Sequence, residues 1–560
     1  MTTPLRSLFA LTGSLLFTTP LAAQTIVPLV TDSQTLAGIG KAEVFRTAHI
    51  NDQGDWLVLI ETDHDDEEQD EIVLRNGFLT MREGSFVSQP PGFRVTLFNS
   101  MSVDSFGDIT WDLELSHPTQ GGTAGTYWNT RMVTQQFDPL QTPGYGRTAR
   151  SFKVNGFVKH NRQNQMLVLS EVDDQSISGV ADEALILLQL DDDRQVVSSV
   201  DVAHERGTVP MQGFNVVQDG LSLESRHFYD LNEQGDVMWQ ARIDDGSENL
   251  RALFLNATPV AVDDRPSGVG TFDWLSVANA RLDLNDAGDY VHEGSINASS
   301  ANTRDVILKN GTELVMRERQ TFADVSPLLV NGFGSNVPIL LSDRGDVFYR
   351  VNLTGNAAFD AALVVNQEVI VRKGESFVGT EPLVELVDGQ DSLAVSPSGR
   401  YVLFRADKED GSTGLFQVDL GNVRVLPDCG SNPATLSRFR GFPIVGGRVT
   451  LGVDGGQGIG VTPFLLVSYG TQPSYDETCG VPVPGVGELV IDLDAPNPFL
   501  ISIGTPWGGT PVPIDLDVVN DVSLIGTRVY AQSFFLDIGD QYPGSQLIGS
   551  NAVEIEIGAP

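Results

Sequence analysis

A short stretch, Leu284-Asn285-Asp286-Ala287-Gly288-Asp289-Tyr290-Val291, recurs in close copies along most of the chain, and this repetition restricts the folds open to it. The copies are Ile50-Asn51-Asp52-Gln53-Gly54-Asp55-Trp56, Leu231-Asn232-Glu233-Gln234-Gly235-Asp236-Val237, Leu341-Ser342-Asp343-Arg344-Gly345-Asp346-Val347 and Val395-Ser396-Pro397-Ser398-Gly399-Arg400-Tyr401. A looser copy surrounds Gly107, and a degraded one runs from Asn161 to Met166. Each reads as a tight hairpin. The leading Asn, Asp or Ser accepts a hydrogen bond from the backbone two residues on, and Gly takes the positive φ that reverses the chain. With Gly54, Gly107, Asn164, Gly235, Gly288, Gly345 and Gly399 as markers, the spacings are 53, 57, 71, 53, 57 and 54 residues. A period near 50 with four strand-like runs per unit predicts an all-β, seven-bladed β-propeller, with six or eight blades open because the third unit is degraded.

Within a unit the expected order is an inner strand, the hairpin, a second strand, a variable loop, a third strand and a short fourth. The opening run Thr25-Ile26-Val27-Pro28-Leu29-Val30 resembles the end of a unit, so the N-terminal strand is expected to complete the last blade and remove an open sheet edge. The unit from Ser396 through Gly399 to Phe416 resembles blades of the WD40 and TolB-like propeller superfamily. Residues 24–427 are similar to uncharacterised exported bacterial propellers with an Asn-x-x-Gly-Asp repeat. That resemblance implies an architecture and not an activity. The Gly-His and Trp-Asp signatures of true WD40 repeats are missing, so their partner rules do not carry over.

From residue 428 the chain is rich in Gly and Pro and loses the repeat. Runs such as Arg448–Val453, Phe464–Tyr469, Arg528–Phe535 and Ala552–Ile557 predict a C-terminal β-sandwich over 428–560. It resembles a module that ends many large exported bacterial proteins. At the other end, an apolar run after Arg6 followed by Pro20-Leu21-Ala22-Ala23 reads as a secretory signal over 1–23, which predicts a secreted or cell-surface protein. In that compartment the only two cysteines, Cys429 and Cys479, read as one disulfide contributing about 4 kcal/mol by loop-closure entropy. No later apolar run is long enough to span a membrane. A net charge of −39 repels nucleic acid and anionic lipid, and solubility in salty surroundings is its simplest reading.

Chemistry is thinly signposted. The acidic loop holding Asp63, Asp65, Glu67 and Asp70 offers oxygens for Ca²⁺, but it lacks the Gly and the spacing of a calcium loop, and a solvated hairpin loop is its simpler reading. The hairpin at Gly107 resembles a stretched Asp-box of sialidase-type propellers, a structural motif there. Trp56, Trp111, Trp239 and Tyr349 follow the turn at near-equivalent places and read as packing between blades, whereas Trp128, Trp274 and Trp507 are free of that pattern and are the candidates for stacking on a ligand, Trp128 and Trp274 foremost. The seven histidines lack metal-pair spacing, and Arg344-Gly345-Asp346, an adhesion tripeptide by spelling, sits on the repeat's own turn. No catalytic residue is assigned. The reading is an exported binding or surface-interaction protein that uses the loop-rich face opposite the hairpins. Its partner would be an unidentified protein or glycan at the cell surface. A carbohydrate-active, sialidase-like enzyme and a structural envelope component are the alternatives.

Overall fold

The computed structural model describes residues 25–559 apart from 33, 37–38, 67, 105, 137–148, 153–157, 174–180, 218–220, 222–228, 278–280, 301–303, 335, 427–434, 456–461, 474, 476–479, 484–485, 494–498, 508–509 and 537–546. The expected signal, Glu67 and both cysteines of the expected disulfide therefore lie outside the described residues. The chain is all-β; among the described residues the only helical elements are two short 3₁₀ turns.

Every repeat folds as expected from its turn chemistry. Asn51 Oδ1 accepts from the N–H groups of Gln53 and Asp55 at 3.0 and 2.9 Å, and Gly54 N–H donates to Asn51 O. Asp104, Asn161, Asn232, Asn285 and Ser342 hold their turns in the same way. The glycines at 54, 107, 235, 288, 345 and 399 have φ between +72° and +87°, where an L side chain is strained.

In five units a second hairpin answers the first. Asn76, Asn129, Asn256, Asn310 and Asn366 sit in the left-handed region, and each donates its Nδ2 to the Asp that follows the turn Gly: Asp55, Asp108, Asp236, Asp289 and Asp346, at 2.6–2.9 Å. The Oδ1 of the same Asn accepts the N–H of the next residue, as from Tyr290 to Asn310 at 3.0 Å. The Asp that completes the sequence repeat is thus the anchor of a two-hairpin clamp.

Seven antiparallel sheets follow one another among the described residues. The second comprises Arg94–Val103, Ile109–His117, Gly121–Trp128 and Arg131–Gln135, and the fifth runs from Trp274–Ser276 and Leu282–Leu284 to Glu313–Arg317. Each packs on the next through its own apolar core; Trp239 and Phe254 of the fourth sheet, stacked at 4.3 Å, share one with Leu167 and Leu185 of the third. The seventh sheet packs back on the first, joining Leu403 and Leu415 to Val58 and Ile60. The N-terminal strand Ile26–Thr31 pairs antiparallel with Thr413–Asp419, Ile26 opposite Val418. The sheets therefore close into a propeller-like ring. Trp56, Trp111, Trp239 and Tyr349 are all buried in these inter-sheet cores.

Beyond Gly421 a five-stranded sheet, ordered Asn422–Val425, Leu547–Glu556, Arg528–Leu536, Thr462–Ser468 and Phe499–Ile503, shares a core with the three-stranded sheet Thr435–Gly441, Arg448–Asp454 and Val512–Asp517. Val423, Leu451, Leu465, Ile514 and Val553 fill it. Two salt bridges and a hydrogen bond fix this pair of sheets to the hairpin end of the sixth and seventh ring sheets. Arg400 Nη1 donates to Glu556 at 2.6 Å, Arg344 Nη1 to Val423 O at 3.2 Å, and Arg438 pairs with Asp346.

The clamp generates a prediction. Asn310→Ala removes two side-chain hydrogen bonds and puts a Cβ-bearing residue without a local acceptor at φ 51°, so urea unfolding is expected to show a loss of about 2–3 kcal/mol. Asn310→Gly relieves only the backbone part and should recover about 1 kcal/mol of it.

Candidate functional site

The inner strand of every sheet ends at its hairpin, and the residue two before the turn borders the axis of the ring. These seven residues are His49, Ser102, Lys159, Asp230, Asp283, Leu340 and Ala394, and all line one cavity of about 270 Å³. The cavity runs to the hairpin end, where Asp52, Asp104, Arg162, Glu233, Asp286, Asp343 and Pro397 border it. The sequence reading placed function on the opposite, loop-rich face. This cavity reaches the hairpin end.

Turn residues are laced to one another around this rim. The N–H of Arg162 donates to Glu233, that of Glu233 to Asp286, and that of Asp286 to Asp343, at 2.6, 2.9 and 3.0 Å. Asp343 N–H donates to Pro397 O at 2.7 Å, and Ser398 N–H reaches Asp52 Oδ1, 346 residues away in sequence, at 2.7 Å. Backbone donors hold these carboxylates, and Glu233 also lies 3.8 Å from Arg162 Nε. Burial, joined by the charges of Asp286, Asp52 and Glu233, raises Asp343 to about 6, and burial raises Glu233.

Deeper in the channel Lys159 pairs with Asp230 and lies 3.9 Å from Asp283. Burial opposes the lysine's charge, but the two carboxylates outweigh it and its pKa is raised. Burial and the neighbouring Asp230 push Asp283 up. Each Asp also accepts an N–H from the next inner strand, Leu284 to Asp230 at 2.8 Å and Leu341 to Asp283 at 2.6 Å. They thereby satisfy edge donors that no further strand reaches. The opposite wall, from Leu340, Leu341, Leu393, Ala394 and Val395, is apolar. The lining as a whole carries eight carboxylates against one Lys and one Arg.

The residues singled out from sequence fall elsewhere. Trp128 and Trp274 are 4% and 2% exposed, so neither offers a free face to a ligand. Trp128 donates Nε1 to Asp108 at 3.1 Å and is sandwiched by His160 at 4.2 Å and Arg194 at 3.8 Å. Trp274 lies so close to Gly294 that a Cβ there would come within 2.5 Å of the ring. Of the acidic loop, Asp63, Asp65 and Asp70 lie among the described residues. Asp63 Oδ1 accepts Lys41 N–H at 2.5 Å and Asp66 takes Glu68 N–H at 3.2 Å. Among the described residues no three His, Cys, Asp or Glu side chains are grouped to hold a metal ion. The tripeptide Arg344-Gly345-Asp346 is structural: Arg344 is bonded to Ser398 O and Val423 O, and its burial lowers it to about 10. The channel residues carry a sequence signal that the turn reading passed over, namely their constant place two before each turn.

No protein-family model matches the chain, and no curated protein matches it. Among solved structures it is similar to the sialidase of Trypanosoma rangeli in complex with the inhibitor DANA, at 11% identity and TM-score 0.23, over 95% of this chain and 94% of that one. It is also similar to a GH43 protein from Bacillus licheniformis, at 7% identity and TM-score 0.18, over 80% and 94% of the two chains. A hypothetical protein from Leishmania major gives 10% identity and TM-score 0.18 over 60% and 87%. At such scores none of these likenesses bears on what the channel does.

Asp343 sets a pH dependence. Its carboxyl binds a proton more tightly in the folded chain than in the unfolded one, so it lowers stability as pH rises from about 4 to about 6. Asp343→Asn keeps an oxygen for Asp286 N–H and removes the charge. It is expected to flatten that part of the stability–pH profile and raise the urea-unfolding free energy at pH 7 by about 1–3 kcal/mol.

Proposed function

We propose that this is an exported binding protein, a seven-bladed β-propeller carrying a C-terminal β-sandwich, whose central channel takes a positively charged ligand at its hairpin end. The observation that carries the reading is that one residue from each of seven inner strands lines a single cavity in which carboxylates outnumber Lys and Arg by eight to two. A low-dielectric wall lined with one sign of charge focuses its field into the opening and draws cations there. Export is supported by the apolar N-terminal run and its small-residue end, and the seven blades by seven cores that close into a ring. The sandwich, bolted beside the same opening, gives a partner a second surface to touch.

The test is isothermal titration of residues 24–560 with spermidine, with neutral maltose and with citrate. Spermidine is expected to bind and the other two are not. Asp52→Asn and Asp286→Asn each retain a side-chain oxygen for the backbone N–H they accept while losing charge, and each should weaken spermidine roughly 3–10-fold. Equal affinity in the variants, or a preference for maltose or citrate, would sink the reading.

A glycan-processing reading is favoured by one feature, the carboxyl of Asp343 at about 6 beside Asp286 and Glu233. Asp230 and Asp283 do not supply the required pair, because Lys159 sits between their charges. Release of nitrophenol from aryl glycosides, abolished in Asp343→Asn, would favour this reading over simple binding.

A further inference from the structure

Six of the repeats place a residue eight positions after the first turn residue on the face that packs against the following sheet. These are Leu59, Asp112, Leu169, Gln240, Glu293 and Arg350. The charged ones can be compared directly. Glu293 is paired with Arg281, whose Nε donates to it at 2.7 Å, and Arg350 reaches Glu385 at 3.4 Å. Asp112, 2% exposed, has no ion pair among the described residues, and its Oδ1 has no hydrogen-bond partner.

Its surroundings are polar and equally unsatisfied. Ser100 and Thr126 stand directly across from Asp112 on the two adjacent strands, so the three side chains form one row on one face of the second sheet. The hydroxyls of Ser100 and Thr126 are buried without a partner, as are both ends of the amide of Asn99, the bulged residue beside Ser100. The next row of the same face shows where it points: Ser102 donates to Val158 O at 3.1 Å and Trp128 packs on His160, both in the third sheet. The row is therefore enclosed between two sheets, in an interface otherwise filled by Ala124, Val168, Val172 and Ile186.

Buried polar atoms left unbonded cost about 1–3 kcal/mol each, and folded chains rarely carry several side by side. Cross-strand neighbours place their Cβ atoms about 5 Å apart, so oxygens from three strands stand side by side within reach of one small ion. One carboxylate and neutral hydroxyl oxygens balance a single positive charge. A divalent ion would leave net charge in an apolar interface and would want more carboxylates. We propose that Asp112, Ser100 and Thr126 form an internal site for an alkali-metal cation, which supplies the counter-ion that Arg281 supplies to Glu293. The site is separate from the channel and does not depend on what the channel binds.

Thermal unfolding at one fixed ionic strength tests it, with NaCl and KCl compared against choline chloride, whose cation is too large to enter. Wild type is expected to melt several degrees higher in at least one alkali salt than in choline. That difference should vanish in Asp112→Asn and shrink in Thr126→Val, while Asp52→Asn on the channel rim keeps it in full. Reading the difference between salts within each variant separates the site from any general loss of stability. A crystal grown in RbCl should show an anomalous peak between Asp112 and Thr126. No salt difference in wild type, an equal difference in Asp112→Asn, or density at that place without an anomalous signal, as ordered water would give, overturns the proposal.

Discussion

The ring rests on a hydrogen bond between two turns. In five sheets the Asp after the turn glycine accepts the side-chain amide of an Asn held in the left-handed region at the second hairpin. Inner strands of two or three residues, such as Tyr229–Leu231 and Leu282–Leu284, have little ladder with which to fix their own register. The clamp fixes it for them, because the Asn binds both the Asp carboxylate and the N–H that starts the second strand. In these five sheets the channel position two residues before the turn inherits its place from this interaction.

The first turn residue works between sheets as well as within them. Asn161, Asn232 and Asn285 use Oδ1 to hold their own turns and donate Nδ2 to the carbonyl of the next turn's first residue, at 2.9–3.1 Å. Neighbouring turns are therefore packed at hydrogen-bonding distance around the axis, and the rim is narrow. Closure comes from two pairings distant in sequence: Ile26 opposite Val418, and Ser398 N–H on Asp52. The C-terminal sheets add a further tie through Arg344, Arg400 and Arg438, so basic residues are spent on the hairpin end while the channel beside it stays acidic.

Carboxylates crowd the axis because inner-strand edges expose N–H groups there. Asp230 and Asp283 satisfy such donors on the next strand, which makes acidic side chains structurally useful in a place where their charges repel. Lys159 relieves part of that repulsion, and burial first, with the neighbouring carboxylates after it, raises Asp283, Glu233 and Asp343. The same tension between burial and charge reappears at Asp112, in an interface where no basic side chain answers it.

The turn was legible in sequence because its determinants are local: an Asx or Ser acceptor, a glycine at positive φ and a return strand lie within seven residues. The all-β class, the repeat and the N-terminal closing strand followed from that. The Asp–Asn clamp was legible in principle, since the Asn recurs 20 or 21 residues after the Asp, but nothing local says that two turns on one sheet meet. Trp128 and Trp274 looked free because they stand outside the repeat's pattern, yet each is buried by a particular neighbour, Arg194 and Gly294. By itself the sequence determined which residues turn and which run straight, through side-chain chemistry acting over a few bonds. Only the tertiary structure decided which end of the ring holds the cavity and which carboxylates share it, because those depend on contacts between residues fifty to three hundred and fifty positions apart.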